Sequence, residues 1–353
     1  MHLVVASADE KRARDRLTFA SWGGGLALEQ YLAREERLCA HPWAKETMTS
    51  WLWRADDGTV LASCESYRMC SAVDGERGET WGVASVYTEP AQRRRGHARA
   101  MMDALVARAR AEGAQASTLF SDVGLPIYEA SGYVGRPAED LVFPPAPGDP
   151  ARAIDRFVDT VGELEPYVDD FAVWPTPAQL DWHLERARTY AALLGRAPLP
   201  TIGARAGEGV AYWAADWQHD RLLVLWLDAG RAHEAEALVR AARNVAAAAQ
   251  LHEVRLWAQP WPFPGRADLG GDRVRRVGSV PMIAPLSPSV RAERWTQIPR
   301  AVWVWPAYSS GTISRSARAT TSMRTSGVAG NSSPSSCADS GWPGCSSNSS
   351  SIV

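Results

Sequence analysis

Two common phosphate-binding signatures are missing from this chain. No run carries the three spaced glycines of a dinucleotide fingerprint, and no glycine loop is followed by Gly-Lys-Ser/Thr. Hydride transfer and nucleotide hydrolysis therefore lose their usual sequence support. Cysteine is scarce: Cys39, Cys64, Cys70, Cys337 and Cys345 are odd in number, show no Cys-x-x-Cys spacing and have no obvious partner histidines. Neither a zinc centre nor a disulfide framework is indicated, no metal is expected, and reduced thiols are the default. Uninterrupted apolar runs of roughly 18 residues, the length a membrane span needs, are absent. The opening MHLVVASADEKRARDRLTF also lacks a long apolar core, so the expectation is a soluble cytoplasmic chain with no membrane partner. Excess charge is lacking too. With 38 basic against 40 acidic residues there is no global field to attract nucleic acid.

What is present centres on residues 81–113. Gly82 to Thr88 are small, β-branched or aromatic, which suits a strand flanked on both sides, and Glu89-Pro90 ends it. From Ala98 the apolar positions Met101, Met102, Leu105 and Ala109 fall on one helical face, with Gly113 as the stop. Between strand and helix lies Arg93-Arg94-Arg95-Gly96-His97-Ala98-Arg99. A helix N-terminus offers unpaired N–H donors and the positive end of its dipole, and Gly96 leaves the approach clear, so this turn predicts a phosphate or pyrophosphate site.

Strand, Arg-x-x-Gly-x-Ala turn and helix resemble the acetyl-coenzyme A signature of the GNAT superfamily of N-acetyltransferases. A second stretch, Ile127-Tyr128-Glu129 followed by Gly132-Tyr133, is similar to the family's tyrosine helix and Gly-aromatic strand. The resemblance implies an α/β (α+β) GNAT fold, with a central mixed, mostly antiparallel sheet flanked by helices, and acetyl-CoA as cosubstrate. Carried onto this sequence, Val86 and Thr88 become the strand positions facing the pantetheine arm. Arg93, Arg94, Arg95, Gly96, His97, Ala98 and Arg99 become the pyrophosphate loop, and Tyr128 becomes the acid that protonates the departing thiolate. The early glycine turn at Trp22 matches the family's acceptor wall, so Trp22 is a candidate to cover the substrate.

By a prior of about 150 residues per domain, 353 residues allow two domains. Asp56-Asp57-Gly58 predicts a hairpin between strands at 49–54 and 59–69, and 71–80 reads as a polar loop. Residues 1–20 read as a weak strand and a short polar segment. Pro144 to Pro150 form a stiff linker, dividing an acetyltransferase domain at 1–143 from a second domain at 151–308. In that second domain, strands at 209–217 and 222–227, an alanine-rich helix at 233–250 and a strand at 254–257 repeat the order around the anion loop. Asp228-Ala229-Gly230-Arg231 stands at the matching turn, and an acid there opposes anion binding. The expectation is a degenerate GNAT-like accessory domain without a cofactor loop. A strand is expected at 301–305. In the last stretch, 309–353, 16 of 45 residues are serine and Asp339 is the only acid, which predicts disorder.

Acetyl transfer to an amine requires a neutral nucleophile, a stabilised carbonyl oxygen and a proton for the thiolate. Glu65, a carboxylate in mid-strand, is the leading base candidate and Asp122 the second. A backbone N–H near Val86 is expected to polarise the thioester carbonyl where the central strands splay. A covalent route through Cys64 or Cys70 lacks a nearby histidine base. Over nearly the whole ordered length the chain resembles the fungal lysine N6-acetyltransferases of lysine catabolism, through Ser21-Trp22-Gly23, His41-Pro42-Trp43, Cys64 to Arg68 and Thr118 to Gly124. That resemblance implies free L-lysine as acceptor, with the second domain closing one side of the pocket; an amino-acid acceptor wants an arginine for its carboxylate and an acid for its α-amine, and Arg68 and Asp122 are the candidates. Other amines (a polyamine, a protein lysine, an aminated antibiotic) and a non-catalytic acetyl-CoA-binding module are the rival readings.

Overall fold

A computed structural model describes residues 1–149, 154–164, 171–258, 269–276 and 278–291. The serine-rich stretch at 309–353, the strand expected at 301–305, Cys337 and Cys345 lie outside the described residues.

The chain opens with β1 (His2–Val5), α1 (Ala8–Trp22), α2 (Leu28–Ala40) and α3 (Pro42–Thr47). It continues through β2 (Met48–Arg54), β3 (Val60–Val73), β4 (Glu76–Thr88), α4 (His97–Ala111), β5 (Ala116–Ser121), α5 (Pro126–Glu129) and β6 (Val134–Gly135). The later elements are β7 (Glu139–Phe143), β8 (Arg156–Val158), β9 (Phe171–Trp174), α6 (Pro177–Leu193), β10 (Gly203–Ala206), β11 (Gly209–Asp216) and β12 (Arg221–Asp228). They close with α7 (Ala232–Ala248), β13 (Glu253–Trp257), β14 (Asp272–Arg275) and β15 (Val280–Pro285).

These strands build two sheets. The first runs β1-β2-β3-β4-β5-β15-β6 with β9 attached to β3, and the second runs β14-β7-β13-β12-β11-β10-β8. Among the described residues pairing is antiparallel except at β4 with β5 and β12 with β13. This is the mixed, mostly antiparallel α/β architecture expected of a GNAT fold. The parallel pairs are those joined by α4 and α7, because a strand–helix–strand crossover returns the chain in the same direction. Helix α4 packs on β3, β4 and β5, and it is held there by Met101, Met102 and Leu105, all essentially inaccessible to solvent. Each such side chain contributes about 1.5–3 kcal/mol on burial.

Three local expectations change. Residues 71–80 are not a loop: β3 runs to Val73 and β4 restarts at Glu76, joined by Asp74 and Gly75 with φ of 48° and 84°. Both angles are positive, as a tight hairpin turn requires, and Asp-Gly tolerates them. Secondly, 8–22 is a full helix, started by a capping box in which Ser7 Oγ accepts from Glu10 N–H and the Glu10 carboxylate accepts from Ser7 N–H. Its buried residues are Arg14, Asp15 and Thr18, so no apolar stripe marks it. Thirdly, the boundary at 143 does not separate the sheets. Strand β7, counted with the first domain, lies in the second sheet between β13 and β14. In exchange β15 enters the first sheet and pairs with β5 along its whole length, from Val280 opposite Ser121 to Pro285 opposite Ala116.

That exchange makes a prediction. A fragment of residues 1–143 lacks β15, leaving β5 with an unpaired edge and removing Met282 and Ile283, both fully buried in the whole chain. It should self-associate through the open edge, giving oligomers or precipitate on size-exclusion chromatography, whereas the full chain stays discrete. A monodisperse, cooperatively melting fragment would show that the first sheet closes by itself.

Candidate active site

The turn between β4 and α4 starts as a 3₁₀ turn at Pro90–Gln92 and ends at Gly96, the helix N-cap, with φ of 81°. Arg94 also takes a left-handed conformation, φ 62°. Among the described residues none of the backbone N–H groups from Arg94 to Arg99 finds an intramolecular acceptor, while the Gly96 carbonyl already accepts from Ala100. The space over Gly96 is open, with nothing within 4 Å of where a Cβ would stand. Arg93 braces the loop by donating through Nε to the Thr88 carbonyl at 3.2 Å, with its guanidinium 5.7 Å from the Tyr87 ring centroid. Arg95 donates to Gln92 Oε1 at 3.1 Å. Arg94, Arg95 and Arg99 are exposed around the unfilled donors. Thr88 Oγ1 is buried and has no hydrogen-bond partner. A concave set of free N–H donors ringed by guanidinium groups suits the pyrophosphate of a coenzyme A thioester.

Behind this loop the sheet opens. Strand β4 pairs with β5 only from Thr80 to Val83, so the main chain from Ala84 to Thr88 has a free edge facing the gap. On its other side β4 stays paired with β3, but the register slips: Ser63 faces Tyr87 and Glu65 faces Ala84, so Cys64 opposes two residues, Ser85 and Val86. This is a β-bulge, and Ser85 sits in it with φ of 55°. A left-handed conformation costs a non-glycine residue about 1–2 kcal/mol, so something must hold it.

The holding groups are charged and buried. Arg14 of α1 donates from Nη2 to the Ser85 carbonyl at 2.7 Å, from Nη1 to Glu65 Oε1 at 2.8 Å and from Nε to Ser63 Oγ at 3.0 Å. Glu65 Oε2 accepts from Ser85 Oγ at 3.0 Å and from Tyr67 Oη at 3.1 Å. The carboxylates of Asp15, Glu35 and Glu65 come within 4.8 Å of one another. The ammonium of Lys11 lies among them, 2.6 Å from Asp15, 3.3 Å from Glu65 and 3.5 Å from Glu35. Arg34 adds a third cation, paired with Glu35 and placed between the rings of Tyr31 and Tyr190. Three cations thus face three carboxylates. Isolated burial of any of them would be prohibitive, whereas mutual pairing with every carboxylate oxygen partnered makes the set tolerable.

This environment corrects the role expected of Glu65. Burial alone would raise its pKa, but Arg14 and Lys11, with the hydroxyls of Ser85 and Tyr67, bring it down to about 2. A carboxylate so stabilised is a poor proton acceptor near neutral pH, and both its oxygens are occupied. Asp15 moves the other way: burial, with Glu35 and Glu65 nearby, outweighs Lys11 and pushes it up to about 6.

The other expected residues divide. Tyr128 is buried on the α4 side of the sheet, edge-on to Tyr133 at 6.2 Å. Burial, with Asp122 and Cys64 nearby, raises its pKa well above the ordinary phenol value, so it stays protonated. Asp122 is exposed just past the end of β5. Trp22 packs edge-on against Tyr87 at 6.0 Å, with the Arg14 guanidinium 5.9 Å from its ring, and so flanks the bulge. Arg68 does not reach the site. It pairs with Glu112 at 2.8 Å and lies against Trp81, at the far end of the 15-residue α4, about 22 Å from the loop at 1.5 Å per residue. Cys64 is inaccessible and burial pushes its thiol up to about 12, while Cys70 is also raised by burial. Neither supplies a thiolate. Sequence reading missed Lys11, Arg14 and Asp15 altogether. Their signal was the Ser7–Glu10 capping box ahead of a charged segment without an apolar stripe.

In the second sheet, Asp228 to Arg231 lead into α7, but Glu234 turns back. Its carboxylate accepts from the N–H groups of Arg231 at 3.1 Å and Glu208 at 3.3 Å. The position an anion would take is filled by the protein's own acid.

An open helix N-terminus thus lies beside a bulged, splayed β4 and a protonated tyrosine. Residues 36–134 match the family described as "Acetyltransferase (GNAT) domain", and residues 165–292 match "LYC1 GNAT-like C-terminal domain". The chain thus carries a GNAT acetyltransferase domain followed by a GNAT-like domain, and it is an acetyltransferase. It is 23% identical over 331 residues to a lysine acetyltransferase of Yarrowia lipolytica, covering 72% of this chain and 83% of the relative. Among solved structures it is similar to a probable N-acyltransferase from Enterococcus faecalis V583, at 12% identity and TM-score 0.50, over 81% of this chain and 72% of that one. A GCN5-related N-acetyltransferase from Kribbella flavida is 18% identical with TM-score 0.46, over 81% and 72% of the two chains.

The buried Glu65 gives a pH prediction. Its folded pKa, about 2, lies below the ordinary 4.5, so the stability it contributes is present above pH 4.5 and is lost as pH falls toward 2. The loss is on the order of 3 kcal/mol at about 1.4 kcal/mol per unit. Glu65→Gln should be destabilised at pH 7, because Arg14 and Lys11 lose their counter-charge, and its urea midpoint should fall less steeply between pH 5 and 3 than that of the parent. Parallel curves would mean that Glu65 is not the group titrating.

Proposed function

We propose that the chain moves the acetyl group of acetyl-CoA to the N6 amine of free L-lysine by direct attack, without an acyl-enzyme. The observation that carries the acetyl-CoA half is the row of unpartnered N–H groups from Arg94 to Arg99 beside the unpaired edge of β4. The acceptor rests on the similarity to the lysine acetyltransferase of Yarrowia lipolytica, which covers 72% of this chain. A cytoplasmic location and a place in lysine breakdown accord with that substrate.

In this reading the loop amides and Arg94, Arg95 and Arg99 hold the pyrophosphate, and Val86 and Thr88 run alongside the pantetheine arm. The free main chain at the bulge donates to the thioester oxygen, stabilising the charge that develops there as the amine attacks. Lysine's amine, with an ordinary pKa of about 10.4, must shed a proton. With Glu65 held near pKa 2, Asp122 takes that role through water. Tyr128, kept protonated by burial, donates its hydroxyl hydrogen to the departing sulfur. Trp22 and Tyr87 form the wall past which the acceptor enters.

Thiol release measured with acetyl-CoA should be fastest with L-lysine among lysine, spermidine, a histone-tail peptide and an aminoglycoside. Preference for spermidine over lysine would overturn the acceptor assignment and leave the acetyl-CoA site standing. Tyr128→Phe should lower kcat about tenfold or more with acetyl-CoA affinity unchanged, since only the proton donor is removed. Gly96→Val should weaken acetyl-CoA binding at least tenfold by calorimetry. A β-branched residue cannot hold φ of 81° without strain and would close the open approach. Unaltered affinity would contradict the loop assignment.

A further inference from the structure

Resting on the acetyl-CoA reading above, we infer that Arg14 and Glu65 are positioning residues, a clamp that fixes Ser85 in its left-handed conformation and thereby aims the bulged main chain of β4 at the thioester carbonyl.

Three observations converge on Ser85. It is a non-glycine residue at φ 55° inside a register slip, a conformation that relaxes unless its surroundings over-determine it. Both of its polar ends are taken: the carbonyl accepts from Arg14 at 2.7 Å, and the hydroxyl donates to Glu65 at 3.0 Å. Arg14 and Glu65 are joined to each other at 2.8 Å, so the three residues close a ring of hydrogen bonds. The ring is itself anchored. Arg14 Nε is fixed by Ser63 on the neighbouring strand, Glu65 by Tyr67 and Lys11, and all three of these partners are buried or nearly so. Nothing in the ring reaches the cleft where the pantetheine arm would lie, because Arg14, Glu65 and Tyr67 occupy the α1 side of the sheet whereas Tyr128 and α4 occupy the other.

The chemistry explains the choice of groups. An arginine can grip a backbone carbonyl and a carboxylate at once because its donors point in fixed, divergent directions. A lysine keeps the charge but cannot hold both. Charge-assisted hydrogen bonds in a dry site are the strongest the protein can apply to a strained residue. Loss of the Arg14–Ser85 bond lets φ at 85 return to the extended region, which draws the bulge flat against β3. The donor that should face the thioester oxygen then turns into the sheet. Binding through the pyrophosphate loop is untouched, since that loop starts beyond Glu89.

The test uses acetyl-CoA labelled with ¹³C at the carbonyl and read by isotope-edited infrared spectroscopy on the full-length protein. A polarising donor lowers the carbonyl stretching frequency of the bound thioester relative to free acetyl-CoA. In Ser85→Ala, the mildest variant, and in Arg14→Lys, the band should move back toward the free position, while acetyl-CoA affinity stays within about threefold. With the acceptor that supports turnover, kcat should fall about tenfold to a hundredfold and KM for acetyl-CoA should stay nearly constant. A merely structural role would lower the melting midpoint without moving the carbonyl band. A band unchanged in folded, acetyl-CoA-bound Ser85→Ala would overturn the clamp. Failure of the parent protein to bind acetyl-CoA at all would instead overturn the reading on which it rests. If Arg14→Lys does not fold, Ser85→Ala alone decides.

Discussion

A carboxylate sits in the middle of a central strand, and the rest of the N-terminal half is arranged around neutralising it. Glu65 faces away from solvent with both oxygens used. Left alone it would cost several kcal/mol and would protonate instead. The neutralising charges come from α1, a helix with so little apolar face that its docking depends on Arg14 and Asp15 rather than on hydrophobic burial. Helix α2 follows, because Glu35 and Arg34 complete the charge balance and Arg34 reaches on to Tyr190 of α6. One buried acid thus ties together α1, α2, the β3–β4 pair and α6.

The two halves are joined in the backbone as well. By trading β7 for β15, each sheet receives a strand from the other part of the chain. Strand β15 fills the outer edge of β5, so the gap between β4 and β5 is bounded on its β5 side by a fully paired strand. A splay that must admit a long flexible arm benefits from one rigid wall. The exchange also explains why a degenerate copy persists although Glu234 fills its own anion position: it supplies structure to the half that keeps the open loop.

Much of this was legible in the sequence and some of it was not, for identifiable reasons. The turn into α4 was readable because its signals are local: a strand ending at Glu89-Pro90, a glycine needing positive φ, and an apolar helical stripe at Met101, Met102 and Leu105. The hairpin at Asp57-Gly58 was readable on the same grounds, whereas the equivalent Asp74-Gly75 turn was hidden among the charges of Glu76, Arg77 and Glu79. Helix α1 escaped because periodicity analysis seeks apolar faces, and this face is ionic. Glu65 was singled out correctly as anomalous, but its role could not follow from its own strand. The partners that set its pKa are 51 and 54 residues away in sequence, at Arg14 and Lys11. Arg68 failed for the converse reason. A strand places alternate residues on opposite faces, and the register that sent Glu65 and Tyr67 toward α1 sent Arg68 to the α4 side.

That alternation carries the last step. Cys64 faces Tyr128 and the cleft side, and Glu65 faces the ion cluster, so the same two-residue stretch of β3 touches both the reaction side and the support side of the sheet. The bulge opposite Cys64 is the one place where β4 must change its side-chain register, putting Ala84 and Ser85 consecutively on the support face while Val86 returns to the cleft face. A flat β4 would point Ser85 into the cleft and turn Val86 toward the charges, which the hydrogen-bonded ring of Arg14, Glu65 and Ser85 opposes. The buried ion cluster and the exposed main-chain edge are therefore consequences of one register shift, and neither can be altered without the other.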